Sequence, residues 1–329
     1  MLDRLQHSDL PFLVIGRAGM DLYPDPPGTK TEDAVQFTAA LGGSSANIAV
    51  ALSRFGERAT LVTSVSDDAV GRYVVNQLNA YNVDASRVRH IKSDVRTSLA
   101  VVETRVEDHQ SVIYRNNAAD FQMGLEDVES LPYSRFRALV ITGTCLTLQP
   151  SRDAALRALE LARRAGIPCI MDLDYRPYSW ESDGAAKRVY EQALALLDMI
   201  VGNDDEFGHM AGNYDAGQAY ASHLAHQGKW IIYKRGEFGS RTFTPSGEQI
   251  DTGVFKVEPL KPTGAGDSFL GGLLASLSRG NPLKDALLHG SACAAMVVTR
   301  VACAPAMPDS TELKQFIDQM DTPNQVSGV

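Results

Sequence analysis

A glycine-rich stretch near the C-terminus carries the residues best suited to chemistry. Thr263-Gly264-Ala265-Gly266-Asp267 precedes the apolar run 268–274, and this pattern predicts the start of a buried helix. Free backbone N–H groups at a helix N-terminus bind anions, and small side chains let an anion approach the backbone. Asp267 would repel that anion, so we interpret it as a base that accepts a proton from an attacking hydroxyl. An anion hole with an adjacent base suits phosphoryl transfer to an alcohol.

The same stretch also has a purely structural interpretation. Gly264, Ala265 and Gly266 could form only a tight loop into a buried helix, and the helix dipole alone favours Asp267 in its first turn. Short glycine motifs are weak signals of function, so this stretch does not by itself decide between the two interpretations.

The elements that would position this stretch are those of an α/β protein. Short apolar runs, typical of buried strands, alternate with amphipathic stretches at 151–165 and 183–196. The runs lie at 12–15, 138–141, 168–171, 199–201 and 230–233. Continuous apolar strands separated by helices predict a parallel sheet covered on both faces, with ligands at the carboxyl ends of its strands.

Two regions break this alternation. Residues 17–40 are rich in proline and glycine, while 97–106 and 111–115 alternate as the arms of a hairpin. We expect these regions, about 17–40 and 95–120, to form a small lid of β-strands. No linker or shift in composition separates independent domains, so we expect residues 1–329 to form one domain that includes this lid.

Composition excludes several classes of partner. The 329 residues include 31 basic and 40 acidic ones, giving a net charge of −9, so we expect no nucleic-acid partner. We find no apolar run of membrane-spanning length and no signal peptide, so we expect a cytoplasmic protein without a membrane partner. None of the four cysteines forms a C-x-x-C pair, and we expect buried, reduced thiols.

Two motifs near the N-terminus could contact a sugar. Gly42-Gly43-Ser44-Ser45-Ala46-Asn47 leads into an apolar helix, with Ser44 or Ser45 as N-cap and Asn47 able to bind a polyol hydroxyl. A capped helix after a flexible turn also explains this motif. Asp21 follows the first predicted strand, where it could accept hydrogen bonds from vicinal hydroxyls or be a solvated loop residue. Its segment lacks the G-x-G-x-x-G spacing, which argues against a nicotinamide-dependent dehydrogenase.

Two motifs after later strands suit a nucleotide and its metal ion. Asn203-Asp204-Asp205-Glu206 fits an Asn-capped helix with acids in its first turn. It also fits an Mg²⁺ site in which Asn203 and Glu206 hold the waters of the ion. The segment from Lys234 to Gly239 suits a turn close to a nucleotide, although a plain hairpin turn also accounts for its glycines.

Taken in chain order, these motifs resemble those of the ribokinase-type carbohydrate kinases, the B-type phosphofructokinase family. The resemblance spans residues 14–308 and rests on the motifs at 42–47, 203–206 and 263–267. It implies a three-layer, Rossmann-like ribokinase fold with a mostly parallel central sheet and a small β-rich lid. It also implies ATP and Mg²⁺ as cofactors and a homodimer formed through the lid.

The resemblance implies a role for each matching residue. Asp267 becomes the base for the sugar hydroxyl, and the anion hole for the transferred phosphoryl group consists of Gly264, Ala265 and Gly266. The implied sugar contacts are Asp21, Gly43 and Asn47. The residues implied near the nucleotide are Asn203, Lys234, Gly236, Gly239 and Thr263, and Glu206 is implied to reach Mg²⁺ through water.

Further motifs narrow the implied substrate. Residues 114–120 and 172–180 look like motifs of the family branch that acts on keto-deoxy sugar acids. Arg115 and Arg176 lie within them and could clamp a carboxylate bidentately. The alternative is that one of them pairs only with a nearby acid, Asp120, Asp172 or Asp174.

Within this branch, residues 16–24 and 303–308 most resemble the kinases that phosphorylate the terminal hydroxyl of 5-dehydro-2-deoxy-D-gluconate in myo-inositol catabolism. The resemblance therefore implies that substrate. The nearest alternative is a kinase of 2-keto-3-deoxygluconate or of another sugar, and an alternative of a different class is a non-catalytic sugar-binding sensor.

One position departs from the family pattern. Ribokinase-like sequences usually carry Asp two residues before the Thr of the glycine motif, where this chain has Lys261, and Ala306 stands where a small hydroxyl residue is common. Both places border a monovalent-cation site in several relatives. We therefore do not expect K⁺ activation, and our hypothesis is that the Lys261 ammonium replaces that cation. The alternative is a solvated surface lysine.

Overall fold

The computed structural model describes residues 1–6, 8–321 and 323. Its strands β1 to β13 are Phe12–Ile15, Gly19–Asp25, Gln36–Gly42, Ala59–Ser66, Asp84–Ile91, Leu99–Val102, Ser111–Tyr114, Leu139–Thr142, Cys169–Asp172, Met199–Asn203, Trp230–Lys234, Ser240–Phe243 and Gln249–Thr252. Its helices α1 to α11 are Leu2–Leu5, Ser44–Arg54, Ala69–Ala80, Leu125–Glu129, Ser151–Arg164, Asp183–Leu194, Asp204–Ala211, Gly217–His226, Ala265–Ser278, Leu283–Val298 and Ser310–Gln319.

The larger sheet has nine strands in the order β13-β12-β11-β10-β9-β8-β1-β4-β5. Strands β11 to β5 of this order run parallel, and β12 and β13 add an antiparallel edge. The five strands predicted from apolar runs are confirmed as β1, β8, β9, β10 and β11, which are neighbours at the centre. Sequence reasoning missed β4 and β5, because threonine, serine and charged residues interrupt their apolar positions.

Apolar side chains cover both faces of the larger sheet, which produces three layers. Along β1, Phe12 and Val14 belong to one apolar cluster, whereas Leu13 and Ile15 belong to another. Helices α2, α9 and α10 contribute to the first cluster, and α5 to α8 contribute to the second. The predicted α/β architecture with a doubly covered parallel sheet is therefore confirmed.

Helices α2 and α9 pack closely at one glycine. A Cβ atom added to Gly271 of α9 would overlap the Cβ atom of Ala51 of α2, so the contact requires glycine. Helix α2 itself begins after Gly43, whose φ of 100° disfavours any other residue. The predicted N-cap at Ser44 or Ser45 is therefore wrong, because Gly43 takes the capping position and both serines lie in the first turn.

The smaller sheet has four strands in the order β3-β2-β6-β7. Two antiparallel pairs, β2 with β3 and β6 with β7, join through a parallel contact between β2 and β6. These strands come from the segments in which we expect a lid. One face of the sheet brings Asp21, Ala100 and Ile113 to a cleft above the larger sheet.

Two expectations from composition can be compared with the structure. The four cysteines, Cys145, Cys169, Cys293 and Cys303, are buried and form no disulfide bonds, as predicted. Among the helices of the described residues, none is long and apolar enough to cross a membrane.

Candidate active site

The carboxyl ends of the central strands open into a cleft of about 1210 Å³. Every residue predicted from the sequence to have a catalytic or binding role lines this cleft: Asp21, Gly43, Asn47, Arg115, Arg176, Asn203, Glu206, Lys234, Gly236, Gly239, Thr263, Gly264, Ala265, Gly266 and Asp267. The fold therefore brings residues that are far apart in the chain into one cavity.

The glycine motif forms the N-terminus of a helix, as predicted. Gly264 caps α9, which begins at Ala265, and the first N–H groups of an α-helix have no acceptor within the helix. A Cβ atom added to Gly266 would lie 3.1 Å from the Nζ atom of Lys234. The ammonium of Lys234 therefore lies beside the free end of the helix, and the two together can hold an anion.

Asp267 lies in the first turn of α9 and is bound by the first turn of α2. Its Oδ2 atom accepts a hydrogen bond of 2.8 Å from Nδ2 of Asn47. Burial, followed by the nearby Asp174 carboxylate, raises the pKa of Asp267 to about 8. A carboxyl group with a pKa near neutral is well matched to exchange a proton with a hydroxyl at physiological pH.

Asn47 makes a contact that the sequence did not predict. We expected its amide to bind a sugar hydroxyl, but its nitrogen donates to Asp267. Its Oδ1 atom is buried and has no hydrogen-bond partner within the described chain, and the same is true of Oδ1 of Asp21. Buried polar atoms rarely stay unpaired, so these two acceptors mark where a ligand with hydroxyl groups would bind.

Lys234, at the end of β11, holds a buried carboxylate at the end of β9, two strands away in the larger sheet. Its Nζ atom lies 3.3 Å from Oδ2 of Asp172, and Oδ1 of Asp172 accepts a hydrogen bond from the N–H of Asp174. Burial alone would lower the pKa of Lys234, but the Asp172 and Glu206 carboxylates raise it. Lys234 therefore keeps its positive charge in the cleft.

Asn203 and Glu206 form a capping box at the start of α7. Oδ1 of Asn203 accepts from the N–H of Glu206, and Oε2 of Glu206 accepts from the N–H of Asn203, each at 2.8 Å. Oε1 of Glu206 also accepts from the N–H of Tyr175 at 3.1 Å. The structural interpretation of this motif is thus confirmed, while both residues still border the cleft.

The cleft offers no direct cage for a metal ion. In the part of the chain that the structure describes, no group of three or more His, Cys, Asp or Glu residues is placed to hold one. Mg²⁺ keeps several waters and commonly binds through substrate phosphates, so Asn203 and Glu206 fit the predicted water-mediated site better than a direct one.

The two predicted carboxylate-binding arginines hold acids of the chain. Nε of Arg115 donates to Oδ2 of Asp120 at 2.9 Å, and Arg176 lies 2.8 Å from Oδ1 of Asp174. Both arginines line the cleft, and the side chain of Arg176 remains half-exposed. The ion pairs that the sequence left as an alternative are therefore formed.

Lys261 is buried, which overturns the alternative of a solvated surface lysine. Its Nζ atom donates to the carbonyl oxygen of Thr263 at 2.6 Å and to that of Val297 at 3.4 Å. Burial lowers the pKa of Lys261. The ammonium therefore contacts one carbonyl oxygen of the glycine motif and one of α10, and carbonyl oxygens are also ligands of small cations.

Sequence reasoning missed roles for three residues of the cleft. Asp172 and Asp174 were considered only as partners of an arginine, and Arg17 was given no role. All three lie at or just after the end of a strand of the larger sheet, so the rule that strand ends converge could have selected them.

Comparison with known proteins identifies the family. The model of the pfkB family carbohydrate kinases matches residues 12–310. The chain belongs to the PfkB family. This PfkB-family protein is 39% identical over 318 residues to a 5-dehydro-2-deoxygluconokinase of Photobacterium profundum, covering 95% of this chain and 96% of that protein.

Solved structures show the same fold. The aminoimidazole riboside kinase of Salmonella enterica, complexed with aminoimidazole riboside and an ATP analogue, matches with a TM-score of 0.79 and 26% identity, covering 94% of this chain and 100% of that one. A fructokinase double mutant of Vibrio cholerae O395, in its fructose, ADP and potassium ion bound form, matches with a TM-score of 0.81 and 25% identity, covering 94% and 99%. The predicted ribokinase-like fold and ATP-dependent sugar kinase class are confirmed.

Replacing Asp267 by Asn should stabilise the free protein, increasingly so at higher pH. Because the pKa of Asp267 is raised from 3.8 to about 8, the folded state binds this proton more tightly than the unfolded chain. In the wild type, the free energy of unfolding should therefore fall as the pH rises from about 4 to about 8. In D267N, residue 267 does not titrate, so it should make no contribution to such a fall. Melting temperatures measured between about pH 5 and about pH 9 should diverge, with D267N the higher.

The exposed Asp318 of α11 provides the control. D318N removes one negative charge without removing a buried carboxylate, so its melting curve should follow wild type. Equal melting temperatures for D267N and wild type at about pH 9 would contradict the raised pKa.

Proposed function

We propose that this kinase transfers the γ-phosphoryl group of ATP to the terminal hydroxyl of 5-dehydro-2-deoxy-D-gluconate. The relative from Photobacterium profundum carries this activity in its name and is 39% identical over nearly the full length of both chains. The observation that carries the chemistry is the hydrogen-bonded pair of Asn47 and Asp267 beside the free N-terminus of α9.

Asp267 would accept the proton of the attacking hydroxyl. The small residues Gly264, Ala265 and Gly266 leave room for the transferred phosphoryl group at the helix N-terminus, where backbone N–H groups stabilise its charge. Lys234, which lies beside Gly266, would add a positive charge to the same place. Positioning and electrostatic stabilisation are the main contributions a protein makes to phosphoryl transfer.

The sugar would bind between the smaller sheet and the first turn of α2. Oδ1 of Asp21 and Oδ1 of Asn47 are the unpaired acceptors for its hydroxyl groups. Gly43 also lines the cleft, and its missing side chain lets the backbone of Arg17 and Ala18 pack against the start of α2. Arg115 and Arg176 would donate hydrogen bonds to the substrate from opposite sides while keeping their own carboxylate partners.

The nucleotide would occupy the other end of the cleft. The wall there includes Gly236 and Gly239 from the turn after β11 and the segment 253–257. The small residues Ser291, Ala294 and Ala295 of α10 complete it. Small residues leave a slot for a flat base. Thr263 has a buried hydroxyl without a partner in the described chain and borders this end.

Mg²⁺ would enter with the nucleotide. Asn203 and Glu206 line the cleft, so they would hold its waters. They would not bind the ion directly, because their side-chain oxygen atoms already accept the hydrogen bonds of the capping box. When bound, the ion would neutralise charge on the phosphates.

Lys261 would take the place of a monovalent cation. The fructokinase from Vibrio cholerae was solved with a potassium ion, whereas here an ammonium contacts the carbonyl oxygens of Thr263 and Val297. A positive charge at this place would support the anion hole without K⁺.

The smaller sheet would act as a lid of the single domain and as a dimer interface. Its outer face carries Leu22, Phe37, Leu99, Val101, Val112 and Tyr114, the last two from an edge strand. Phe37, Val112 and Tyr114 are 41–59% exposed. A contiguous apolar sheet face of this kind favours association with a second copy of itself.

Substrate assays test the central proposal. ADP release should be fastest with 5-dehydro-2-deoxygluconate, slower with 2-keto-3-deoxygluconate, and slowest with fructose and ribose. Asp267→Asn should lower kcat by roughly 10²–10⁴, the usual contribution of a general base, while ATP binding persists. Near-normal turnover by D267N would contradict the assignment of the base, a preference for 2-keto-3-deoxygluconate would favour the nearest alternative, and no ADP release with any sugar would favour a sensor.

Activity of the wild type should not depend on K⁺. We expect kcat in tetramethylammonium buffer to stay within about twofold of kcat in K⁺ buffer, because Lys261 already supplies the charge. Lys261→Met should lower kcat and restore a response to K⁺, while K314M, which changes an exposed lysine of α11, should behave as wild type. Strong activation of the wild type by K⁺ would contradict this role.

Sedimentation tests the dimer. Val112→Glu places a charge on the outer face of the smaller sheet and should shift the protein from dimer to monomer, because an unpaired charge is costly to bury. Leu148→Glu is a matched control, since Leu148 and Val112 are 44% and 45% exposed and Leu148 lies outside that sheet. A wild type that sediments as a monomer would overturn the proposal.

A further inference from the structure

A substrate with a carboxylate must be bound in a cleft that already contains many acids. Six carboxylates line it: Asp21, Asp172, Asp174, Glu206, Glu237 and Asp267. A further negative charge needs a cation whose own charge is not already neutralised, because like charges in a partly buried cleft repel strongly.

Three cations of the cleft are already paired. Arg115 holds Asp120, Arg176 holds Asp174 at 2.8 Å, and Lys234 holds Asp172 at 3.3 Å. If a substrate displaced one of these acids, a buried carboxylate would be left without its partner, which is costly.

Arg17 differs from these three cations. It lines the cleft and is only 8% exposed, yet among the described residues no carboxylate lies within 4.0 Å of its guanidinium nitrogens. Burial raises the pKa of Asp21, and the nearby charge of Arg17 lowers it without offsetting the effect of burial. Nη1 of Arg17 donates to Oγ of Ser98 at 3.2 Å, which fixes one side of the guanidinium to the smaller sheet. An arginine that is so deeply buried without a carboxylate partner in the described chain points to an anionic ligand.

Lys256 also lines the cleft without a carboxylate partner in the described chain. It is exposed, however, and lies in the segment 253–257 on the nucleotide side. Its charge is therefore solvated, unlike that of the buried Arg17.

The position of Arg17 matches the shape of the proposed substrate. The carbonyl oxygen of Arg17 accepts a hydrogen bond from the N–H of Ala46 at 3.3 Å, so Arg17 is tied to the start of α2. One turn of α2 then leads to Asn47 and, through it, to Asp267. Arg17, Asn47 and Asp267 therefore line the same cleft, and a six-carbon sugar acid carries its carboxylate and its phosphorylated hydroxyl at opposite ends of its chain.

We propose that Arg17 binds the carboxylate of the substrate and makes the enzyme select sugar acids over neutral sugars. This inference rests on the proposed function, because it assumes a substrate of the sugar-acid class. Asp21, four residues later on β2, would bind a hydroxyl of the same substrate.

The test compares the sugar acid with a neutral analogue in which a hydroxymethyl group replaces the carboxylate. For the wild type, kcat/KM should be higher for the acid. Arg17→Gln should reduce this discrimination by roughly 10- to 150-fold, the range expected for hydrogen bonds to a charged group, mainly through KM for the acid. Arg17→Lys keeps the positive charge but loses the two parallel N–H donors of the guanidinium, so it should retain part of the discrimination.

Three further variants separate a charge effect from a structural one. R188Q changes an exposed arginine of α6 and should leave the discrimination as in wild type. R115Q and R176Q should lower kcat/KM for both sugars together, since each leaves an acid unpaired. If R17Q lowers kcat/KM equally for both sugars, or if R115Q or R176Q abolishes the discrimination while R17Q does not, the proposal is wrong.

Two other causes of a negative result, misfolding of the variant and a wrong substrate, can be distinguished from failure of the role proposed for Arg17. If R17Q melts well below wild type, R17K and a direct titration of substrate binding decide the question, because R17K keeps the buried charge. If the wild type prefers 2-keto-3-deoxygluconate, the proposed substrate fails but the discrimination at Arg17 is measured with that acid. If the wild type phosphorylates only neutral sugars, the role of Arg17 fails while the kinase activity stands.

Discussion

The close approach of two helices controls the whole site. Ala51 and Gly271 touch where α2 crosses α9, and Asn47 and Asp267 lie one turn earlier on the same two helices. The missing side chain at Gly271 thus determines how far the candidate base stands from the residue that orients it. Since interiors are close-packed and relax little, adding one methyl group at this contact would shift the carboxylate of Asp267, the candidate base.

Charge crowding at the strand ends is the second constraint. Burial raises the pKa of Asp172 and Glu206 as well as that of Asp267, and the Lys234 ammonium opposes this rise at all three carboxyl groups. The free site is therefore electrostatically strained, and cations brought with the nucleotide would relieve that strain. An arrangement that is unfavourable without ligands and favourable with them is typical of sites that bind anions next to acids.

Much of the fold and of the site could be predicted from the sequence. Continuous apolar runs revealed the five central strands, and glycine motifs after strands revealed the cleft residues, because both patterns depend on local chemistry. The hydrogen bond from Asn47 to Asp267, the burial of Lys261 and the ion pairs of Arg115 and Arg176 depend on contacts between distant segments. Strands β4 and β5 were not predicted, because their polar residues interrupt the apolar pattern. The neighbouring residues that accommodate those polar side chains are distant in the sequence.

The roles proposed for Arg17, Asp21 and Gly43 in sugar binding and for Asp267 in phosphoryl transfer fall on different segments of the chain. Arg17, Asp21 and Gly43 precede or begin α2, whereas the glycine motif and Asp267 lie more than two hundred residues later on α9. With these proposed roles, mutations in the first segment would alter which sugar is bound while the second segment keeps its geometry. Such a separation would let the products of duplicated genes acquire different substrate specificities while the reaction stays the same. This is one route by which a single fold comes to act on many substrates.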